Sequence, residues 1–148
     1  MFLLLGRLCL AQTQPIFQRI DQSQGLSSSR ITGIVKEEGG FVWISTQNGL
    51  NRYDSYIFKI YNKQNSNIPT NDISGLYLDT KNRLWLTTYG RGLILYNRKF
   101  DEFVAYKNAK DDPNSIISNR INTIIEDASG SSSMSAKMSL LFLKFKLF

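Results

Sequence analysis

Phe41-Val42-Trp43-Ile44-Ser45-Thr46 returns as Leu84-Trp85-Leu86-Thr87-Thr88, which places the chain's two tryptophans 42 residues apart. Both stretches are apolar on the two alternating faces of a strand, so a sheet that contains them has to be covered on both sides. Their surroundings match too. Upstream, Leu26-Ser27-Ser28-Ser29-Arg30-Ile31 answers to Ile68-Pro69-Thr70-Asn71-Asp72-Ile73. Downstream, Asn48-Gly49-Leu50-Asn51-Arg52-Tyr53 answers to Gly90-Arg91-Gly92-Leu93-Ile94-Leu95-Tyr96, with one residue inserted before Leu93. The units end on Tyr56-Ile57-Phe58-Lys59-Ile60-Tyr61 and Phe100-Asp101-Glu102-Phe103. A third unit opens at Asn114, passes Ser118-Asn119-Arg120-Ile121 and reaches Ile125-Glu126-Asp127-Ala128-Ser129-Gly130.

Each unit reads as four short strands joined by turns. In the first these are Ile31–Lys36, Phe41–Thr46, Leu50–Tyr53 and Tyr56–Tyr61. Gly39-Gly40 and Asn48-Gly49 suit tight hairpins; Lys81-Asn82 and Gly90-Arg91-Gly92 take those places in the second. The segments are β-branched and aromatic, with no helical periodicity. Four-stranded units of about 40–45 residues, each covered by its neighbours, are propeller blades. The fold expected is therefore all-β: an incomplete β-propeller of two four-stranded blades, about 26–67 and 68–113, plus the first strand of a third in 114–130.

Composition narrows the function. The 148 residues hold no His and one Cys. That removes Ser-His-Asp and Cys-His catalysis, His-ligated metals, Cys-based zinc clusters and any disulfide within the chain. The net charge is +6, but without Arg7, Lys137, Lys144 and Lys146 it falls to +2. A nearly neutral middle with interspersed signs is no nucleic-acid footprint.

The two ends differ from the middle. Residues 1–11, Met1 to Ala11, read as a signal-peptide-like leader with Cys9-Leu10-Ala11 before a cut at Gln12. That stretch is too short to cross a bilayer, and so is Leu140–Phe148. Residues 131–148 carry no unit pattern, beginning with the run Ser131-Ser132-Ser133-Met134. The expectation is a disordered or out-of-frame tail on a truncated or frame-shifted product.

Several residues invite a site reading. Trp43, Trp85, Tyr53 and Tyr96 could stack on a sugar ring, but their repeat spacing argues for core. Gly49 and Gly92 are turn glycines, with no helix following to make a phosphate cradle. Glu37-Glu38, Asp101-Glu102 and Asp111-Asp112 are acidic pairs on turns, read as solvated rather than as general acid–base pairs. Asp111-Asp112-Pro113-Asn114-Ser115 lacks calcium-loop spacing. Lys59, Lys63, Arg98 and Lys107 read as a solvated edge. No catalytic, cofactor-binding or metal residue is assigned, and no cofactor is expected.

The pattern Leu-Ser-x-x-x-Ile, then (Leu/Val)-Trp-(Ile/Leu)-x-Thr, then Gly-Leu-x-x-Tyr-(Asp/Asn), then Phe-x-x-Tyr or Phe-x-x-Phe resembles the two-component regulator propeller repeat over about residues 18–130. The resemblance implies the periplasmic sensor region of a hybrid two-component histidine kinase. It also implies sensing of a nutrient, often a carbohydrate, by the intact protein. It further implies an inner-membrane anchor elsewhere in that protein. With no kinase core and no His, this chain is expected to be no enzyme and not to signal alone. Two rival readings are a fragment of a propeller lyase or glycosidase and a protein-binding scaffold. Self-association is expected through an unpaired apolar face at Ile73–Leu95.

Overall fold

The computed structural model describes residues 17–126, 132–136 and 139–141, which form three antiparallel sheets. The first holds β1 (Ile31–Lys36), β2 (Val42–Thr46), β3 (Gly49–Tyr53) and β4 (Phe58–Tyr61), side by side in chain order. The second repeats that order with β5 (Ile73–Leu78), β6 (Leu84–Thr88), β7 (Leu93–Asn97) and β8 (Glu102–Tyr106). Both are four-stranded meanders, as the repeat predicts, and β1 and β5 share an irregularity of register near their starts.

Register gives each sheet two distinct faces. On β2 and β3, Trp43 lies opposite Arg52 and Ser45 opposite Leu50. In the second sheet Trp85 lies opposite Leu95 and Thr87 opposite Leu93. Opposed residues share a face, so the tryptophan, with Leu50 of β3 or Leu93 of β7, marks the front. The back of the second sheet carries Leu84, Leu86, Ile94, Tyr96 and Phe103. These pack with Trp43, Leu50 and Tyr61 of the first sheet's front in one buried cluster. The second sheet's front, Trp85 and Leu93, packs with Ile116, Ile121 and Ile124. Front meets back twice, which is the stacking rule of a propeller.

Hydrogen bonds repeat with the packing. Thr32 Oγ1 donates to the Ile73 carbonyl at 2.7 Å, and Ser74 Oγ to the Ile121 carbonyl at 3.3 Å. The Gly49 and Gly92 amides each donate at 2.8 Å, to the carbonyls of Asn71 and Asn119. Gly49 (φ +112°) and Gly92 (φ +85°) are held left-handed, and a Cβ there would meet the Tyr61 or Tyr106 carbonyl oxygen at 2.5 or 2.0 Å.

Two expectations need correcting. The third sheet has three strands, in the order β11-β10-β9: β9 (Thr123–Glu126), β10 (Ser132–Ala136) and β11 (Ser139–Leu141). Pairing thus continues past Ser131, because a strand can be recruited by its backbone alone, without an apolar alternation to announce it. And Ile73–Leu95 is not an unpaired face. Ile73, Leu84, Leu86 and Ile94 are fully buried against the first sheet, and Trp85 and Leu93 lie under the third unit. The leader at 1–11 and residues 142–148 lie outside the described residues.

Candidate functional site

Where the front of the first sheet meets the back of the second, Lys59 and Tyr61 from β4, Tyr96 from β7 and Asp101 from the β7–β8 turn come together. Asp101 Oδ1 accepts from both phenols, each at 2.7 Å, while Oδ2 accepts from the Lys59 ammonium. Asp101 sits at φ +57°, a left-handed position that Asp tolerates better than most residues. Burial pushes its carboxyl up. The hydrogen bonds from Lys59, Tyr96 and Tyr61 outweigh that and hold it at about 2. Burial, reinforced by the tyrosine pair and Asp101, pushes the Tyr61 phenol far above its ordinary value. Tyr96 is raised as well, again first by burial. A carboxylate held ionised and two phenols held protonated form a clamp, not an acid–base pair at neutral pH.

Beside the clamp an open cleft of about 710 Å³ is lined by Phe58, Tyr61, Asn65, Phe100, Asp101 and Glu102. Phe100 is 60% exposed there. The amides at its edge are already engaged: Asn65 donates to the Ile60 carbonyl, and Asn67 bonds both backbone groups of Phe103.

A second arrangement recurs in both blades. The Trp43 indole donates to Glu37 at 2.8 Å, and the Trp85 indole to Asp79 at 2.9 Å, each to an acid six residues before it. Asp79 also binds Arg83 within its own blade, whereas Glu37 takes Arg98 from the neighbouring one, at 2.7 Å. Burial pushes the Asp79 carboxyl up, but the Trp85 and Arg83 hydrogen bonds outweigh it and leave it lowered.

Trp43 and Trp85 are therefore core, as their spacing predicts, and Tyr96 is core with them. Tyr53 stacks on Phe58 at the half-exposed back of the first blade. Glu37 is not the solvated turn charge expected of it, whereas Asp101, Lys59 and Arg98 stay exposed as expected but are engaged in ion pairs. The two carboxylates are drawn to the seam because a buried indole or phenol needs an acceptor, and the cations pair with them. Glu38, Glu102, Lys63, Lys107 and Asp111 are exposed, and exposed Asp112 caps its own turn by accepting from the Asn114 amide. Asp79 was legible in the sequence only as the counterpart of Glu37. No group of three His, Cys, Asp or Glu that could hold a metal occurs among the described residues.

Stacked four-stranded units sealed by buried tryptophans define a β-propeller segment. Residues 67–90 match the family described as two component regulator propeller. The chain is 37% identical over 46 residues to histidine kinase P4 of Formosa agariphila, a stretch covering 31% of this chain and 3% of that one. The extracellular domain of the hybrid two component system BT3049 from B. thetaiotaomicron superposes with a TM-score of 0.71. It is 30% identical over 79% of this chain and 17% of that one. The corresponding domain of BT4673 gives a TM-score of 0.64 at 21% identity, over 82% of this chain and 17% of its own, and shows the fold alone. The chain thus spans a small part of each relative. Among the described residues no helix is long and apolar enough to cross a membrane.

Proposed function

We propose that this chain is part of the extracytoplasmic sensing propeller of a hybrid two-component system, and that the intact protein recognises a nutrient-derived carbohydrate. The similarity to the BT3049 extracellular domain, 30% identical over 79% of this chain, carries the reading. Ligand binding would favour one arrangement of packed blades over another, and that population shift would be the signal. This chain contributes blades and seams.

Two measurements test the reading. Alkaline phosphatase fused behind residue 148 is active only where the chain is exported; an inactive fusion in cells that secrete a control counts against an extracytoplasmic location. An ectodomain containing this segment, screened against neutral and uronic oligosaccharides, gains thermal stability with one class and leaves it uncleaved. Cleavage lost on changing Asp111 and Asp112 would instead support a lyase or glycosidase. No shift with any sugar would support a protein-binding scaffold.

A further inference from the structure

The repeat defines which residues meet at a seam. Ile34, Leu76 and Ile124 are counterparts on the backs of the three units; Val35, Tyr77 and Ile125 are counterparts on the fronts. At the first seam Val35 and Leu76 pack against one core cluster. At the second, Tyr77 packs against the cluster that contains Ile124. The two residues left over are Ile34 and Ile125. They are 59% and 51% exposed, one on the first unit's back and one on the third unit's front.

The neighbouring positions agree. Ile31 is 45% exposed, whereas its counterparts Ile73 and Ile121 are fully buried beneath the preceding unit. Asn122 brings an amide to the position from which Thr32 and Ser74 donate across their seams. The first unit's back is otherwise built like the second's. Ile34, Val42, Ile44, Tyr53 and Phe58 stand where partly buried Leu76 and buried Leu84, Leu86, Tyr96 and Phe103 stand in the second; of the five, Ile44 is buried, Val42, Tyr53 and Phe58 are half-buried and Ile34 is exposed.

We propose that the purified chain closes this face with a second copy of itself: the third unit's front on one copy seats on the first unit's back on the other, twice. The contact is head to tail, so it either closes into a ring or runs on as a filament. Two copies bring six sheets, within the roughly four to eight blades at which propellers close, and three copies bring nine. Any closed ring covers both end faces, and two copies do so within that range of blade number. In a longer polypeptide its own further units would occupy the same face.

Light scattering behind size exclusion, over ~1–100 µM, tests this. The expected mass is twice 16.9 kDa, constant at the upper concentrations. Ile34→Glu and Ile125→Glu, one on each half of the proposed seam, should each yield a folded monomer, judged by unchanged far-UV circular dichroism. Gln64→Ser changes an exposed residue in the connection between the first two units, and should leave the dimer intact. A monomeric wild type, growth without limit, a dimer that survives either glutamate, or one lost on Gln64→Ser would overturn the proposal.

Discussion

Asp79 receives the Trp85 indole, the Arg83 guanidinium and the backbone amides of Lys81 and Arg83, with its side chain fully buried. Removing one partner of such a set strands the others. Asp79→Ala is therefore expected to cost ~3–5 kcal/mol. Glu37 receives only the Trp43 indole and Arg98, so Glu37→Ala should cost about 1–3 kcal/mol. Urea midpoints of the two variants check the ranking, and equal losses would contradict it. The two blades also cover their indoles differently. Arg83, immediately before β6, lies 5.3 Å from the Trp85 ring. The first blade has Phe41 at that position, and Arg52 from the next strand lies 4.6 Å from Phe41 and 5.7 Å from Trp43. One cation on each tryptophan is kept while its place in the unit changes. Backbone matters as sharply. Gly92→Ala adds a Cβ 2.0 Å from a carbonyl oxygen, whereas Gly40, also left-handed at φ +88°, has open space around it. Gly40→Ala should cost ~1 kcal/mol, and Gly92→Ala at least ~3 kcal/mol because the β7–β8 edge must move. Thermal melts of the pair separate the conformational cost from the clash.

Between elements, Asp101 ties β4 to β7 through three donors, and its effect depends on pH with a definite sign. The folded carboxyl, at about 2, lies below its ordinary value of 3.8, so unfolding takes up protons at low pH. The stabilisation is full above about pH 4 and is lost as pH falls toward 2. Asp101→Asn accepts the left-handed backbone but not the proton linkage. Wild-type urea midpoints should fall more steeply than the variant's between pH 5 and pH 2.5; parallel curves would remove Asp101 from the linkage. This clamp was not legible in the sequence, although the strands were. Ile31–Lys36 was expected and found, and Leu50–Tyr53 differs from β3 by a single residue, because alternation and turn glycines are local signals. Lys59, Tyr61, Tyr96 and Asp101 meet across 42 positions of chain, and nothing in the spacing of a single unit encodes that approach. The acid six residues before each tryptophan was on the page, but it shows only when two units are aligned. β10 escaped notice because serines give no apolar period.

The molecule as a whole is a stack in which each sheet draws stability from its neighbours. The second sheet has a neighbour on both faces, and Leu84, Leu86 and Ile94 are fully buried. Amides of β6 and β7 should accordingly exchange slowest with solvent, and those of β1, beside exposed Ile34, faster. The two tryptophans let the seams be loosened one at a time. Trp43 is fully buried in the first seam and Trp85 is 5% exposed in the second. Each change to alanine removes ~3–5 kcal/mol of packing, but at different places in the stack. Trp43→Ala should lower protection on both four-stranded sheets together. Trp85→Ala should lower it on the second sheet and β9, and leave β2 and β3 near their wild-type rates. Hydrogen exchange read by mass spectrometry resolves these segments. A uniform loss throughout the chain in both variants would mean that the blades unfold as one unit, so that stability is not carried seam by seam.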